Sequence, residues 1–171
     1  TAAGRRFCLH YPPASPLRGV VLYLHPFAEE MNKARRMAAQ MAGRMAQQGL
    51  AVLQPDLGGC GDSEGDFADA SWQGWLADIA AAADWLRQQY PDQPLTLWGV
   101  RLGALLAAVF AAANPATCRR LLLWAPVANG EAFLTQFLRL QLASQMLAGE
   151  QQGGGTQALL QQLYQGEPVE V

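Results

Sequence analysis

The sequence LTLWGVRLGALLAAVF, residues 95–110, decides the fold. Its first four residues form a short apolar run of the kind found in buried strands, and the alanine-rich segment after residue 103 has the composition of a helix. Gly99 and Gly103 stand on either side of the junction, where residues without a side chain let a strand turn sharply into a helix. Arg101 lies at the corner, so its side chain is predicted to face the cleft at this edge of the sheet.

Apolar runs at three other places predict further strands. Residues 19–25 and 50–54 are predicted to be covered on both faces, and residues 120–124 to form a fourth core strand. An alternating segment at 6–11, ended by Pro12, is predicted to be an edge strand.

Helices are predicted between these strands. Methionines and alanines recur at helical spacing over 34–45, with Asn32 as the predicted N-cap, and this stripe is interpreted as core packing. A second helix is predicted over 72–86, capped by Ser71 or Asp69. Because helices separate the strands, the sequence predicts an α/β fold with a mostly parallel sheet and right-handed crossovers.

The pattern changes near residue 129, which divides the chain into a core at 1–128 and a helical segment at 129–171. The second part contains a predicted amphipathic helix at 131–147, a flexible break at 151–155 and a short helical piece at 159–164, with no further strand–helix unit. In an open α/β sheet such a segment is expected above the carboxyl ends of the strands, as a cap or lid.

Composition narrows the function classes. The chain has 171 residues, of which 51% are hydrophobic, and a formal net charge of −2, so no nucleic-acid partner is expected. No apolar run reaches the ~18 residues of a membrane span. The three cysteines are odd in number and lack metal-ligand spacing, so neither a disulfide framework nor a metal site is predicted. No cofactor is predicted either. A reducing compartment fits this cysteine usage.

Four features are predicted to meet at the carboxyl edge of the sheet, where open α/β folds bind ligands. They are the His-Pro-Phe segment at 25–27, Asp56 with the glycine-rich loop at 58–65, the strand-to-helix turn at 99–103, and the Ala-Pro pair at 125–126.

These features, in this order, resemble the α/β-hydrolase superfamily over residues 6–126. The resemblance implies a three-layer sandwich, of which this chain carries the N-terminal part and the start of a cap, without the C-terminal strands. It implies that the backbone N–H of Phe27, after the His25-Pro26 pair, helps form an oxyanion hole. It also places residue 101 at the nucleophile elbow.

A closer resemblance is to the hydrolase 2 group associated with the bacterial exosortase (PEP-CTERM) sorting system. It is carried by HPFAEEMNK at 25–33, LQPD at 53–56, GCGDS at 59–63 and WGVRLG at 98–103. Membership implies a cytoplasmic protein of an exopolysaccharide-producing Gram-negative bacterium, acting on an acyl ester or thioester.

Arg101 departs from the hydrolase pattern at the position that matters most. A serine hydrolase needs an oxygen nucleophile there, activated by histidine, whereas arginine offers only N–H donors and a permanent positive charge. No histidine follows His25 in this chain. Serine-type acyl transfer through this position is therefore not expected.

Two interpretations of Arg101 stay open. Its guanidinium, beside the N–H groups of Phe27 and Leu102 at a helix N-terminus, could receive an anionic ligand such as a carboxylate, a phosphate or a phosphopantetheine-type acyl carrier group. Alternatively, Arg101 forms a structural ion pair with one of three acids, which are Asp56, Asp62 and Glu29.

Other candidate residues offer different chemistry. His25 could be a general base, and Ser63 or Cys60 an alternative nucleophile, although nothing in the sequence places a base beside either one. Three hypotheses follow: a hydrolase that uses a non-serine route, a non-catalytic protein that binds an anionic small molecule or acyl ligand, and an interaction module that dimerises through the helix at 131–147.

Overall fold

The computed structural model describes residues 4–147, 155–167 and 169. Within this part of the chain, five strands form one sheet in the order β1-β3-β2-β4-β5. Their bounds are Cys8–Tyr11 (β1), Gly19–Leu24 (β2), Leu50–Pro55 (β3), Leu95–Val100 (β4) and Cys118–Trp124 (β5). Strands β2 to β5 are parallel, and β1 pairs antiparallel with β3 at one edge. The predicted mostly parallel sheet and the edge position of the first strand are confirmed.

Helices connect the parallel strands and also follow the last of them. The connecting helices are Glu29–Gln47 (α1), Trp72–Gln89 (α2) and Leu102–Ala113 (α3), and a 3₁₀ turn at Phe67–Asp69 precedes α2. Gly130–Leu147 (α4) and Thr156–Tyr164 (α5) come after β5. The predicted N-cap of α2 is confirmed, because the Ser71 hydroxyl oxygen accepts a hydrogen bond from the Gly74 N–H at 3.1 Å.

The predicted start of α1 is wrong. The helix begins at Glu29, directly after Ala28, whose φ is +47°. Its first turn is closed by the Glu30 N–H, which donates to the Phe27 carbonyl at 3.1 Å. Asn32 therefore lies inside the helix. The apolar pattern misplaced the start because the first turn carries two glutamates, which favour the positive end of a helix but leave no apolar signal.

The core has a layer on each face of the sheet, because successive strand residues point to opposite faces. On one face, Val21 and Tyr23 of β2 pack with Ala38 and Ala42 of α1. On the other, Leu22 of β2 belongs to a cluster with apolar residues of α2 and α3. The result is the predicted three-layer arrangement, with β2 buried along its whole length.

Strand β5 departs from its prediction as a core strand. It pairs only with β4 in the described part of the chain, and Leu121 and Leu123 are 43% and 36% exposed. The apolar run predicted a strand correctly, but burial depends on what covers that strand, which its own sequence does not encode.

Two compact units divide the chain, at 1–126 and 127–171. In the second unit α4 and α5 contact each other, and the Asn129 side-chain oxygen accepts from the Ala132 N–H at 3.0 Å. The predicted helices at 131–147 and 159–164 are confirmed, whereas residues 151–154 of the predicted break lie outside the described residues. That the second unit forms a cap stays a prediction. No helix in the described ranges is long and apolar enough to cross a membrane.

Candidate functional site

Arg101 occupies a sharp corner between β4 and α3. Its φ of +54° and ψ of −116° lie in a region that costs about 1–3 kcal/mol for a residue other than glycine. The two flanking glycines impose this geometry. A Cβ atom on Gly99 would overlap the backbone of Ala104, and one on Gly103 would overlap the carbonyls of Leu24 and His25. The corner is a nucleophile elbow in shape, with arginine at its apex.

Glu30 binds the guanidinium of Arg101. The Nε–H of Arg101 donates to Oε1 of Glu30 at 3.3 Å, and the two side chains are 34% and 36% exposed. The other carboxylate oxygen, Oε2, is buried and accepts no hydrogen bond from any residue in the described part of the chain. Because both side chains are about one-third exposed, the pair itself contributes only about 0–1 kcal/mol.

Of the three acids expected to pair with Arg101, two are engaged elsewhere and the third is exposed. Asp56 accepts from Nη2 of Arg35 at 2.7 Å, Glu29 pairs with Lys33 at 3.6 Å on the surface of α1, and the Asp62 side chain is exposed. The observed partner lies one residue beyond Glu29, because the earlier start of α1 turns the second glutamate of its first turn toward the elbow.

The two predicted backbone donors lie at neighbouring strand ends. Phe27 follows β2 and Leu102 begins α3, while the register pairs Leu24 of β2 with Gly99 of β4. The close contact of Gly103 with the Leu24 and His25 carbonyls brings the start of α3 against the end of β2. The Leu102 N–H lies in the first turn of α3, where N–H groups have no intrahelical acceptor. The start of a helix and a cation therefore share this corner.

His25 is held in one orientation by two hydrogen bonds. Its Nδ1–H donates to the Pro26 carbonyl at 2.8 Å, and its Nε2 accepts from the Leu57 N–H at 3.2 Å. The ring is 6% exposed, and burial lowers its pKa below the ordinary value. His25 thus ties the end of β2 to the glycine-rich loop as a neutral ring, with both nitrogens occupied.

Asp56 organises the glycine-rich loop. Its carboxylate accepts from the Asp62 N–H at 3.0 Å as well as from Arg35. Gly61, with φ +56°, passes so close that a Cβ atom there would overlap this carboxylate.

The two alternative nucleophiles lie in the same loop. The Ser63 hydroxyl donates to the Asp56 carbonyl at 2.5 Å and accepts from the Phe7 N–H at 2.9 Å. Cys60 is buried, and this burial raises the pKa of its thiol to about 11. The arrangement holds Ser63 by both its donor and acceptor roles and keeps Cys60 protonated near neutral pH.

Sequence reasoning missed the anchor that fixes this loop to α2. The Asp78 carboxylate, 3% exposed, accepts from Nε of Arg6 and from the Gly58 N–H, both at 2.8 Å. The Trp75 Nε1–H donates to the Gly58 carbonyl at 3.0 Å. The sequence did contain a signal for this anchor, because Asp78 is a charged residue next to Ile79 on the apolar face of the predicted helix.

An aromatic cluster beside Phe27 was also missed. The Phe27 ring lies 5.4 Å from that of Phe67 and 6.2 Å from that of Trp75, measured between ring centroids. It gives the turn after β2 an apolar wall. Among the described residues, no three acidic, histidine or cysteine side chains are grouped so that they could hold a metal ion.

A mostly parallel sheet with helices on both faces and a sharp elbow between β4 and α3 are the features of the α/β-hydrolase fold. Within this fold, residues 15–161 match the family described as serine aminopeptidase, S33, and the chain belongs to that family.

Individual relatives are more distant. The chain is similar to the monoglyceride lipase of Mus musculus, with 25% identity over 132 residues that cover 75% of this chain and 42% of the lipase. It thus spans less than half the length of the curated relatives it matches.

Solved structures share the architecture. One is an α/β serine hydrolase without lid from Xanthomonas campestris, with TM-score 0.61 and 26% identity over 73% of this chain and 57% of that one. Another is a thermostable carboxyl esterase from Bacillus coagulans, with TM-score 0.64 and 22% identity over 91% and 50%.

Proposed function

We propose that this chain binds an acyl ester or thioester ligand, or the acid derived from one, without serine-type catalysis. The observation that carries the proposal is Arg101 at the apex of an intact elbow, with its Nε–H bonded to Glu30. The elbow retains the shape that presents a residue to a hydrolase ligand, but an arginine there cannot attack a carbonyl carbon.

The surroundings of the other candidates support a non-catalytic role. A general base must reach the proton that it removes, whereas both ring nitrogens of His25 already have partners. Ser63 is bonded through both roles of its hydroxyl, and the raised pKa of Cys60 disfavours its thiolate. A hydrolase that uses His25 or Ser63 would have to break the hydrogen bonds that hold these side chains in place.

The chemistry of the corner favours a ligand with an acyl body and an anionic group. The Arg101 side chain is one-third exposed, it stands at the positive end of α3, and a guanidinium carries five N–H donors. The Phe27 cluster offers an apolar surface for an acyl chain. The lipase and esterase names of the relatives point to the same ligand class. A phosphopantetheine-type acyl carrier group also has an acyl body and an anionic group, so it belongs to the same ligand class.

Four segments of the sequence support a biological setting for this binding function. They lie at 25–33, 53–56, 59–63 and 98–103. On their resemblance to the exosortase-associated hydrolase 2 group, we propose that the protein serves the PEP-CTERM sorting system in the bacterial cytoplasm.

A second candidate function is protein interaction through α4. This helix exposes Leu140, Met146 and Leu147, at 65%, 74% and 91%, and exposed apolar side chains that form a patch can mark an interaction site. Self-association through α4 predicts a concentration-dependent mass in sedimentation, which Leu140→Lys would reduce.

The test of the main proposal compares turnover with binding. We expect wild-type protein and Arg101→Ala to hydrolyse p-nitrophenyl butyrate and butyryl-CoA at the same background rate. A non-hydrolysable thioether analogue of butyryl-CoA should bind wild type and lose roughly tenfold in affinity in Arg101→Ala, since a hydrogen bond to a charged group contributes about 1.5–3 kcal/mol. Arg44→Ala, on the exposed side of α1, is the matched control. Wild-type turnover that Arg101→Ala abolishes would overturn the proposal.

A further inference from the structure

A separate cavity lies between α1 and the strands β1, β3 and β2. Its volume is about 260 Å³, which is slightly below the ~300–1,000 Å³ of pockets for drug-sized ligands. The apolar part of its wall comes from Leu9, Met31, Ala38, Ala39 and Pro55. Of the described residues, neither Arg101 nor Glu30 lines it, so it is distinct from the elbow corner.

Tyr23 brings a hydrogen-bond donor to this cavity. The residue lines the wall, is 5% exposed, and packs its ring 4.5 Å from that of Trp98. Its phenolic hydroxyl can donate one hydrogen bond. Burial raises the pKa of this phenol above its ordinary value, so it remains a donor at neutral pH. The cavity wall therefore includes a hydroxyl that an acceptor on a ligand can engage.

The charges around the cavity leave an excess of one positive. Arg35 and Arg36 line it, together with Asp56 as the one acidic residue in the wall. Arg35 is paired with Asp56 at 2.7 Å, whereas the exposed Arg36 forms no ion pair with the described residues. His25 also lines the cavity, and burial lowers its pKa, which keeps it neutral.

The remaining polar group is fixed by α1. The Gln54 side-chain amide, 7% exposed, donates from Nε2 to the Ala38 carbonyl at 3.0 Å. This bond ties β3 to the helix across the cavity and holds the wall in place. The space is thus mostly apolar and preformed, with one hydroxyl donor inside and one arginine at the rim.

We propose that this cavity binds a small monocarboxylic acid with a short aliphatic or single-ring body. The apolar body packs against Met31, Ala38 and Ala39. One carboxylate oxygen accepts from the Tyr23 hydroxyl, and Arg36 at the rim neutralises the charge. A neutral or cationic ligand of the same shape would lack one or both of these interactions. This site goes beyond the proposed function, since it does not involve Arg101, and either proposal can fail alone.

The test is a titration of the whole chain with 4-fluorobenzoate, followed by fluorine NMR. We expect saturable binding, with 4-fluorobenzamide at least tenfold weaker because it carries no charge. Tyr23→Phe removes only the hydroxyl and should weaken binding about tenfold. Arg36→Gln should weaken it several-fold and reduce its dependence on salt. Arg44→Gln makes the same charge change on the same helix outside the cavity and should leave binding unchanged.

A second kind of variant separates filling of the cavity from loss of the fold. Ala39→Leu, at a half-buried wall position, should abolish binding while the far-UV circular dichroism and melting temperature stay near those of wild type. The proposal is overturned if wild type does not bind 4-fluorobenzoate at 10 mM, on the order of the weakest useful affinity. It is also overturned if Tyr23→Phe and Ala39→Leu bind like wild type, or if the benzamide binds equally well.

Discussion

Two consecutive arginines near the start of the chain allow a matched measurement of what burial does to an ion pair. Arg5 pairs with Glu64 at 2.6 Å, and the two side chains are 91% and 45% exposed. Arg6 pairs with Asp78 at 2.8 Å, and these side chains are 11% and 3% exposed. Each pair joins the N-terminal segment to a later part of the core unit by an arginine Nε–carboxylate contact. The variants Glu64→Gln and Asp78→Asn keep the size of the side chain and remove its charge.

We expect the two variants to differ greatly in stability. Asp78→Asn takes the counter-charge from a buried guanidinium and a charged acceptor from the Gly58 N–H. Removing one partner of a buried pair costs about 3–5 kcal/mol. We expect about 3 kcal/mol, the lower end, because Arg6 also donates to the Arg5 carbonyl. That is a large share of the roughly 5–15 kcal/mol of a typical domain. Glu64→Gln should be indistinguishable from wild type, because water already solvates both charges of the Arg5–Glu64 pair.

Urea unfolding followed by tryptophan fluorescence measures both variants in one buffer. We expect a much lower urea midpoint for Asp78→Asn at an unchanged slope, since the slope reports the surface exposed on unfolding. A loss below about 1 kcal/mol in Asp78→Asn, or equal losses in the two variants, would refute the claim that the buried pair anchors the loop to α2.

Four further outcomes follow from the site geometry. Gly103→Ala should fail to fold or lose several kcal/mol in unfolding free energy, because its Cβ would overlap the carbonyls at the end of β2; soluble yield and thermal melting check this. Arg101→Gly should be more stable than Arg101→Ala by about 1 kcal/mol in urea unfolding, since glycine relieves the strain of a positive φ; equal stabilities would argue against strain at the elbow. The lowered pKa of His25 means that its share of stability is present above the ordinary value of 6.5 and is lost as pH falls below it; in unfolding between pH 7.5 and 5, His25→Gln should show a shallower decline. With a pKa of about 11, Cys60 is about one-thousandth thiolate at pH 8, so Ellman's reagent should modify it far faster after unfolding, and equal rates would contradict the burial.

The elbow could be predicted from sequence because its causes are local. Gly99 and Gly103 lie four residues apart between an apolar run and an alanine-rich run, and both the turn and the residue at its apex follow from that spacing. Strand positions could be predicted for the same reason, since a buried strand in a parallel sheet is apolar on both faces.

The partner of Arg101 could not be predicted, because it depends on where a distant helix begins. The apolar pattern placed the start of α1 several residues late, and with that start Glu30 belongs to a loop. The Arg6–Asp78 anchor joins residues 72 positions apart, and no local pattern reports such a contact. The exposure of Leu121 could not be predicted either, since it depends on which strand lies beside β5.

The elbow geometry is not by itself evidence of a catalytic role. The positive φ of Arg101 follows from how tightly Gly99 meets the start of α3 and how tightly Gly103 meets the end of β2, and neither contact involves the side chain at the apex. A change from hydroxyl to guanidinium therefore leaves the corner intact, provided that the new charge finds a counter-charge. Glu30, in the first turn of α1, supplies it. Fold and chemistry are separable at this corner, so the chain can belong to a hydrolase family while its apex residue is suited to binding.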